Sequence, residues 1–82
     1  MPELIKYIWD FRGPNARHTA RHHAVHLKEW AATALPDSII GDDELSPMNH
    51  TAYLVAGRDQ MQLIKEKLKP HRAQLWQPAK ES

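Results

Sequence analysis

Apolar positions along this chain recur first at every second residue and then at every third or fourth, and the alternation of the two periods lays out a series of elements. From Leu4 to Phe11, the side chains of Ile5, Tyr7, Trp9 and Phe11 share one side of an extended strand. Leu4, Lys6, Ile8 and Asp10 share the other. Both sides have apolar surface to bury, as a central strand does. Arg12-Gly13-Pro14-Asn15 breaks the alternation, and Pro14 suits the first turn of a helix, where a missing N–H costs nothing. From about Asn15 to Ala34 the period is helical, with Ala16, Ala20, Ala24, Leu27, Ala31 and Ala34 in one stripe. His23 and Trp30 border that stripe, and Pro36 ends the helix.

Ser38, Ile39 and Ile40 predict a short second strand. Gly41-Asp42-Asp43-Glu44 and Ser46-Pro47 read as an acidic loop with turn chemistry. His50 to Ala56 alternates as a third strand, with Thr51, Tyr53 and Val55 against Ala52 and Leu54. Arg58 to Lys69 carries Met61, Ile64 and Leu68 at helical spacing, and Pro70 stops it. Ala73 to Gln77 is a short fourth strand, and Pro78 to Ser82 a frayed tail. The order β-α-β-β-α-β predicts an α+β domain spanning residues 1–82 on the ferredoxin-like plan. Its four-stranded antiparallel sheet would carry two helices on one face, with the first and third strands central.

Composition narrows the function classes. Eleven Lys and Arg against ten Asp and Glu leave a formal charge of +1, too little for a general polyanion binder. Tyr7, Trp9 and Tyr53 invite comparison with base-stacking sheets. The segment His50-Thr51-Ala52-Tyr53-Leu54-Val55-Ala56 lacks the basic-glycine opening and closing aromatics of that motif, so nucleic acid is not the expected partner. With no cysteine, disulfides and thiolate metal sites are excluded. No apolar run is long enough to span a membrane and no charged-then-apolar leader is present, which places the expected location in the cytoplasm. A domain of 82 residues buries only about 60% of its unfolded surface. With no disulfide to staple it, a second copy docked on the open sheet face is the expected remedy, giving a homodimer.

Six histidines supply the candidate chemistry. In the predicted topology, segments distant in sequence share one pole: Asp10, Arg12, His18, Asp42, Asp43, Glu44, His50, His71 and Arg72. Asp10, Arg12, His50, His71 and Arg72 are the ligand-binding candidates, and Asp10, His50 and His71 would supply acid and base to an enzyme. No nucleophile stands beside them, and no phosphate-cradling loop, dinucleotide fingerprint or H-E-x-x-H motif is present. His18, His22 and His26 form an outward row at spacing four, with Glu29 on the same side. Imidazoles at i and i+4 chelate zinc, nickel or copper when further ligands complete the shell. The plain alternative is a solvated helix face with no cofactor. Acidification would also crowd positive charge into this stretch, beside Arg17, Arg21 and Lys28, and loosen the helix. Over four residues, Asp10-Phe11-Arg12-Gly13 resembles the acidic-x-x-glycine turn that follows strand 1 in ACT ligand-binding domains. The histidine-rich helix after it is unlike theirs, and no family is assigned. The expected function is a non-catalytic binding or accessory module. A histidine metal site and a small dimeric α+β-barrel enzyme are the alternatives.

Overall fold

A computed structural model of the chain describes residues 3–76. Its elements are β1 (Leu4–Arg12), α1 (Ala16–Ala34), β2 (Ile39–Ser46), β3 (Asn49–Gly57), α2 (Met61–Lys67) and β4 (Arg72–Trp76). A single 3-10 turn, Arg58–Gln60, leads into α2. The fold is α+β, with two helices and one antiparallel sheet in the order β2-β3-β1-β4. β1 and β3 occupy the centre, paired from Leu4↔Gly57 to Arg12↔Asn49. The predicted tail, from Pro78 onward, lies outside the described residues.

Period-two alternation decides which side chains meet the helices. Ile5, Tyr7 and Trp9 of β1 and Ala52, Leu54 and Ala56 of β3 form one buried cluster with Ala24, Leu27 and Ala31 of α1 and Ile64 of α2. The alanine stripe lets α1 lie close to the sheet, and only Leu27 projects a large side chain from its buried positions. Two polar groups inside this layer are satisfied by backbone. Trp9 Nε1–H donates to the Leu68 carbonyl at 2.9 Å, tying the end of α2 to the central strand. The Tyr7 hydroxyl donates to the Gly57 carbonyl at 3.3 Å.

The far face of the sheet is less apolar than its strands suggest. Ile8 and Val55 point away from the helices and yet are only 3% and 2% exposed. Lys6 lies 4.5 Å above the Tyr53 ring and pairs with Asp43 at 3.3 Å, forming a polar lid over the middle strands. Gly41 faces Tyr53 across the β2–β3 ladder, and a Cβ there would meet the Tyr53 hydroxyl at 2.6 Å. Its missing side chain is the space the ring occupies.

Several sequence expectations need correction. Asp42, Asp43 and Glu44 belong to β2, which extends to Ser46 and turns into β3 through Pro47 and Met48. Acidic residues have poor strand propensity, but eight residues facing an alternating partner gain a ladder that a loop lacks. Helix α1 starts at Ala16 with Asn15 as its N-cap, so Pro14 precedes the helix. Gly13 at φ +106° makes the bend before it. Ala34 is exposed at the end of the stripe. The predicted second helix is shorter, because its first three residues are 3-10 and Lys69 turns to φ 50° before Pro70. Strand β4 begins one residue early, at Arg72. Among the described residues, no helix is long and apolar enough to cross a membrane.

Leu54 has no exposed surface and sits where β3 meets both helices' cluster. Leu54→Ala should lower unfolding stability by about 2–5 kcal/mol, read from guanidinium denaturation at unchanged slope. A loss below about 1 kcal/mol would contradict this core assignment.

Candidate functional site

Because β1 runs antiparallel to both neighbours, its C-terminal end lies beside the N-terminal ends of β3 and β4. Phe11 therefore faces His50, Arg12 faces Asn49, and Arg72 enters the sheet opposite Ile8. The Gly13 N–H donates to the Met48 carbonyl at 2.8 Å, locking the β1–α1 bend against the β2–β3 turn. The result is a pocket of about 330 Å³ lined by Asp10, Phe11, Arg12, Leu45, Asn49, His50 and Arg72. It contains four of the five ligand-binding candidates. A larger groove of about 580 Å³ follows the surface of α2 from Arg58 to Glu66, but it draws no side chains from the sheet.

Each polar group at this pole has a different commitment. Arg72 clasps Asp10 through two hydrogen bonds of 3.0 Å, Nε to Oδ2 and Nη2 to Oδ1. Those bonds hold the Asp10 carboxyl below the usual carboxylate range, with His71 and Arg12 adding to the effect and burial opposing it. His71, the fifth candidate, is used structurally. Its Nδ1 accepts the Asp10 N–H at 2.8 Å, satisfying β1 where the ladder to β4 has ended. Arg12 makes no ion pair among the described residues and lines the pocket with an uncommitted guanidinium.

His50 is the buried member, only 4% exposed. Its Nε2 lies 2.6 Å from Asp42 Oδ2, and Asp42 also faces Arg21 Nε at 3.5 Å. Its Nδ1 is buried and has no hydrogen-bond partner among the described residues. Asn49, Phe11 and Leu45 were not anticipated here, and Asp42 was placed at this pole but given no role. Its pairing with His50 was legible only in register, since β2 had to extend past Asp42 before the two side chains could share a face. Asp43, by contrast, turns to the far face with Lys6, and His18 and Glu44 are exposed and make no ion pair among the described residues.

His23 is wedged behind the pocket wall, its ring 5.1 Å from Trp9 and 5.5 Å from Phe11. Its Nε2 is buried without a partner among the described residues. Burial above all, then the positive potential of His26, His71 and His22, pushes its pKa below the ordinary 6.5. Along the outer row, His22 Nε2 and His26 Nε2 approach to 3.0 Å with their rings edge-on. His26 Nδ1 faces Glu29 Oε1 at 3.5 Å. His18 does not join them, and among the described residues no three His, Asp or Glu side chains converge as a metal site.

No family model, no curated protein and no solved structure matches the chain. What can be said of the site therefore comes from its own geometry.

For His23, a folded pKa below the unfolded value means that the unfolded chain takes up the proton first as pH falls. Its contribution is intact above about pH 6.5 and is lost as the solution is acidified through and below that value. The urea midpoint should drop between about pH 7.5 and about pH 5, and His23→Leu should flatten that slope. An identical slope in the variant would assign the pH dependence elsewhere.

Proposed function

We propose that the protein is a small homodimeric binding module of the ferredoxin-like plan, working in the cytoplasm, with its ligand site in the pocket at the shared pole of β1, β3 and β4. The element order β-α-β-β-α-β, the central placement of β1 and β3, and the joint cluster of both helices support that plan. One observation carries the function: Asp10, Arg12, His50 and Arg72, from three separate strands, line one pocket. Arg72 is neutralised by Asp10, so the surplus charge in the pocket is that of Arg12, and a small organic anion is the ligand it favours. A binding role is preferred to an enzymatic one because no serine, threonine or cysteine lines the pocket beside His50.

Titration of the labelled protein with small organic acids should shift the amide resonances of residues 10–12, 49–50 and 72 together, and Arg12→Ala should abolish the effect. Shifts scattered over the surface, or none, would overturn the pocket reading.

The dimer would use the far sheet face, where Ile39 is 48% exposed and Leu4 and Tyr53 are half-buried. Sedimentation at micromolar concentration should show a species of twice the 9.5 kDa chain mass. A monomer alone would remove this part of the proposal.

The 3.0 Å approach of His22 Nε2 to His26 Nε2 favours a second reading, a two-imidazole site for zinc, nickel or copper. Calorimetric titration with each ion should show binding that His22→Ala and His26→Ala both eliminate. Binding unchanged in these variants would place any metal elsewhere.

A further inference from the structure

Among the described residues the sheet ends on two open edges, β2 on one side and β4 on the other. An unpaired edge offers main-chain donors and acceptors to any strand that fits, and charged side chains are one means of keeping such a strand away. β2 has that protection. Two copies of it laid antiparallel would set Asp42, Asp43 and Glu44 of one among the same carboxylates of the other. β4 runs Arg72-Ala73-Gln74-Leu75-Trp76, without Lys, Asp, Glu or Pro. Its one charge, on Arg72, is already matched by Asp10.

The direction of the free groups on β4 follows from its neighbour. The Ile8 carbonyl accepts the His71 N–H at 2.9 Å, and the Asp10 N–H donates to His71 Nδ1 at 2.8 Å. β1 therefore turns the main-chain groups of its even-numbered residues towards β4. Main-chain groups alternate sides along a strand, and the register sets Ile8, Lys6 and Leu4 opposite Arg72, Gln74 and Trp76. Those three residues of β4 answer β1, and Ala73 and Leu75 aim their N–H and C=O groups at the open edge. The side chains of Ala73 and Leu75 share the helix side with Tyr7 and Ile5, yet both are exposed, Leu75 by 51%. Helix α2 leaves this margin of the sheet uncovered.

A second β4 fits the edge when a two-fold axis passes through Gln74. Ala73 of each chain then lies opposite the partner's Leu75, and the outward N–H and C=O groups of both residues bond in pairs. The small alanine leaves room for the leucine opposite it. Gln74 meets its own copy at the axis, so no like charges are opposed. On the far face Arg72 falls opposite the partner's Trp76, whose ring can accept a guanidinium.

We infer that the outer edge of β4 pairs with β4 of a second copy, antiparallel about Gln74, and joins two four-stranded sheets into one. This contact uses the rim of the sheet; it goes beyond the sheet-face contact proposed above and does not require it.

The chain has no cysteine, so single cysteines report the contact directly. Residues directly opposite in an antiparallel pair have Cα atoms about 4.5–5.5 Å apart, which a disulfide accepts, and diagonal neighbours at about 7–8 Å do not. Under mild oxidation, Ala73→Cys mixed with Leu75→Cys should give a covalent dimer, and each variant alone should not. Both positions are exposed, so neither replacement opens the core, and both lie on the helix side, away from a contact through the far face. Sedimentation of the unaltered chain is measured in parallel. A dimer in solution without this cross-link overturns the edge contact and leaves the sheet-face reading standing. Cross-linking of each variant alone as readily as of the mixture overturns the pairing about Gln74. A chain that stays monomeric and uncross-linked overturns both.

Discussion

Everything in this fold is referred to β1, a strand hydrogen-bonded along both edges and covered on both faces. Its pairing with β3 runs the full length from Leu4 to Arg12, and β4 takes the other edge as far as Ile8. One face supplies Ile5, Tyr7 and Trp9 to the core beneath the helices. The other supplies Lys6 and Ile8 to a layer closed by side chains of the sheet itself. Where β4 stops, β1 continues, and that overhang makes a site possible. Asp10 reaches back to Arg72, and Arg12, paired with Asn49 of β3 but past the end of β4, makes no ion pair among the described residues.

Four histidine environments, three at or behind this pole and one on the outer face of α1, show how far tertiary context divides one residue type. His50 is locked by Asp42, His71 closes an open strand edge, and His23 fills space against Trp9 and Phe11. On the outer face of α1, His22 and His26 meet each other, and His26 faces Glu29. These differences follow from burial and from which nitrogen finds a partner, so they could not be assigned from spacing alone. The pair at His22 and His26 is the exception, because i and i+4 are neighbours on any helix.

The acidic segment illustrates the same constraint from the other side. In a loop, Asp42 and Asp43 would be equivalent carboxylates in solvent. In β2 they alternate: Asp43 meets Lys6 above Tyr53, while Asp42 turns to His50 and Arg21. One residue of register therefore separates a surface ion pair from a carboxylate held against a buried imidazole.

The chain by itself determined the number and order of its main elements, because periods of two and of three to four are properties of local geometry. The buried stripe of α1 and the inward set Ile5, Tyr7 and Trp9 were legible for that reason. So was the placement of Asp10, Arg12, His50 and Arg72 at one end of the sheet, since strand direction alone brings those ends together. Tertiary structure alone decided that Gly41 to Ser46 is a strand, since its propensities favour a turn and only the ladder with β3 outweighs them. It also decided that His71 caps an edge and that Asp42 serves His50. Those roles depend on register, and register is fixed by pairing between segments whose own sequences do not encode it.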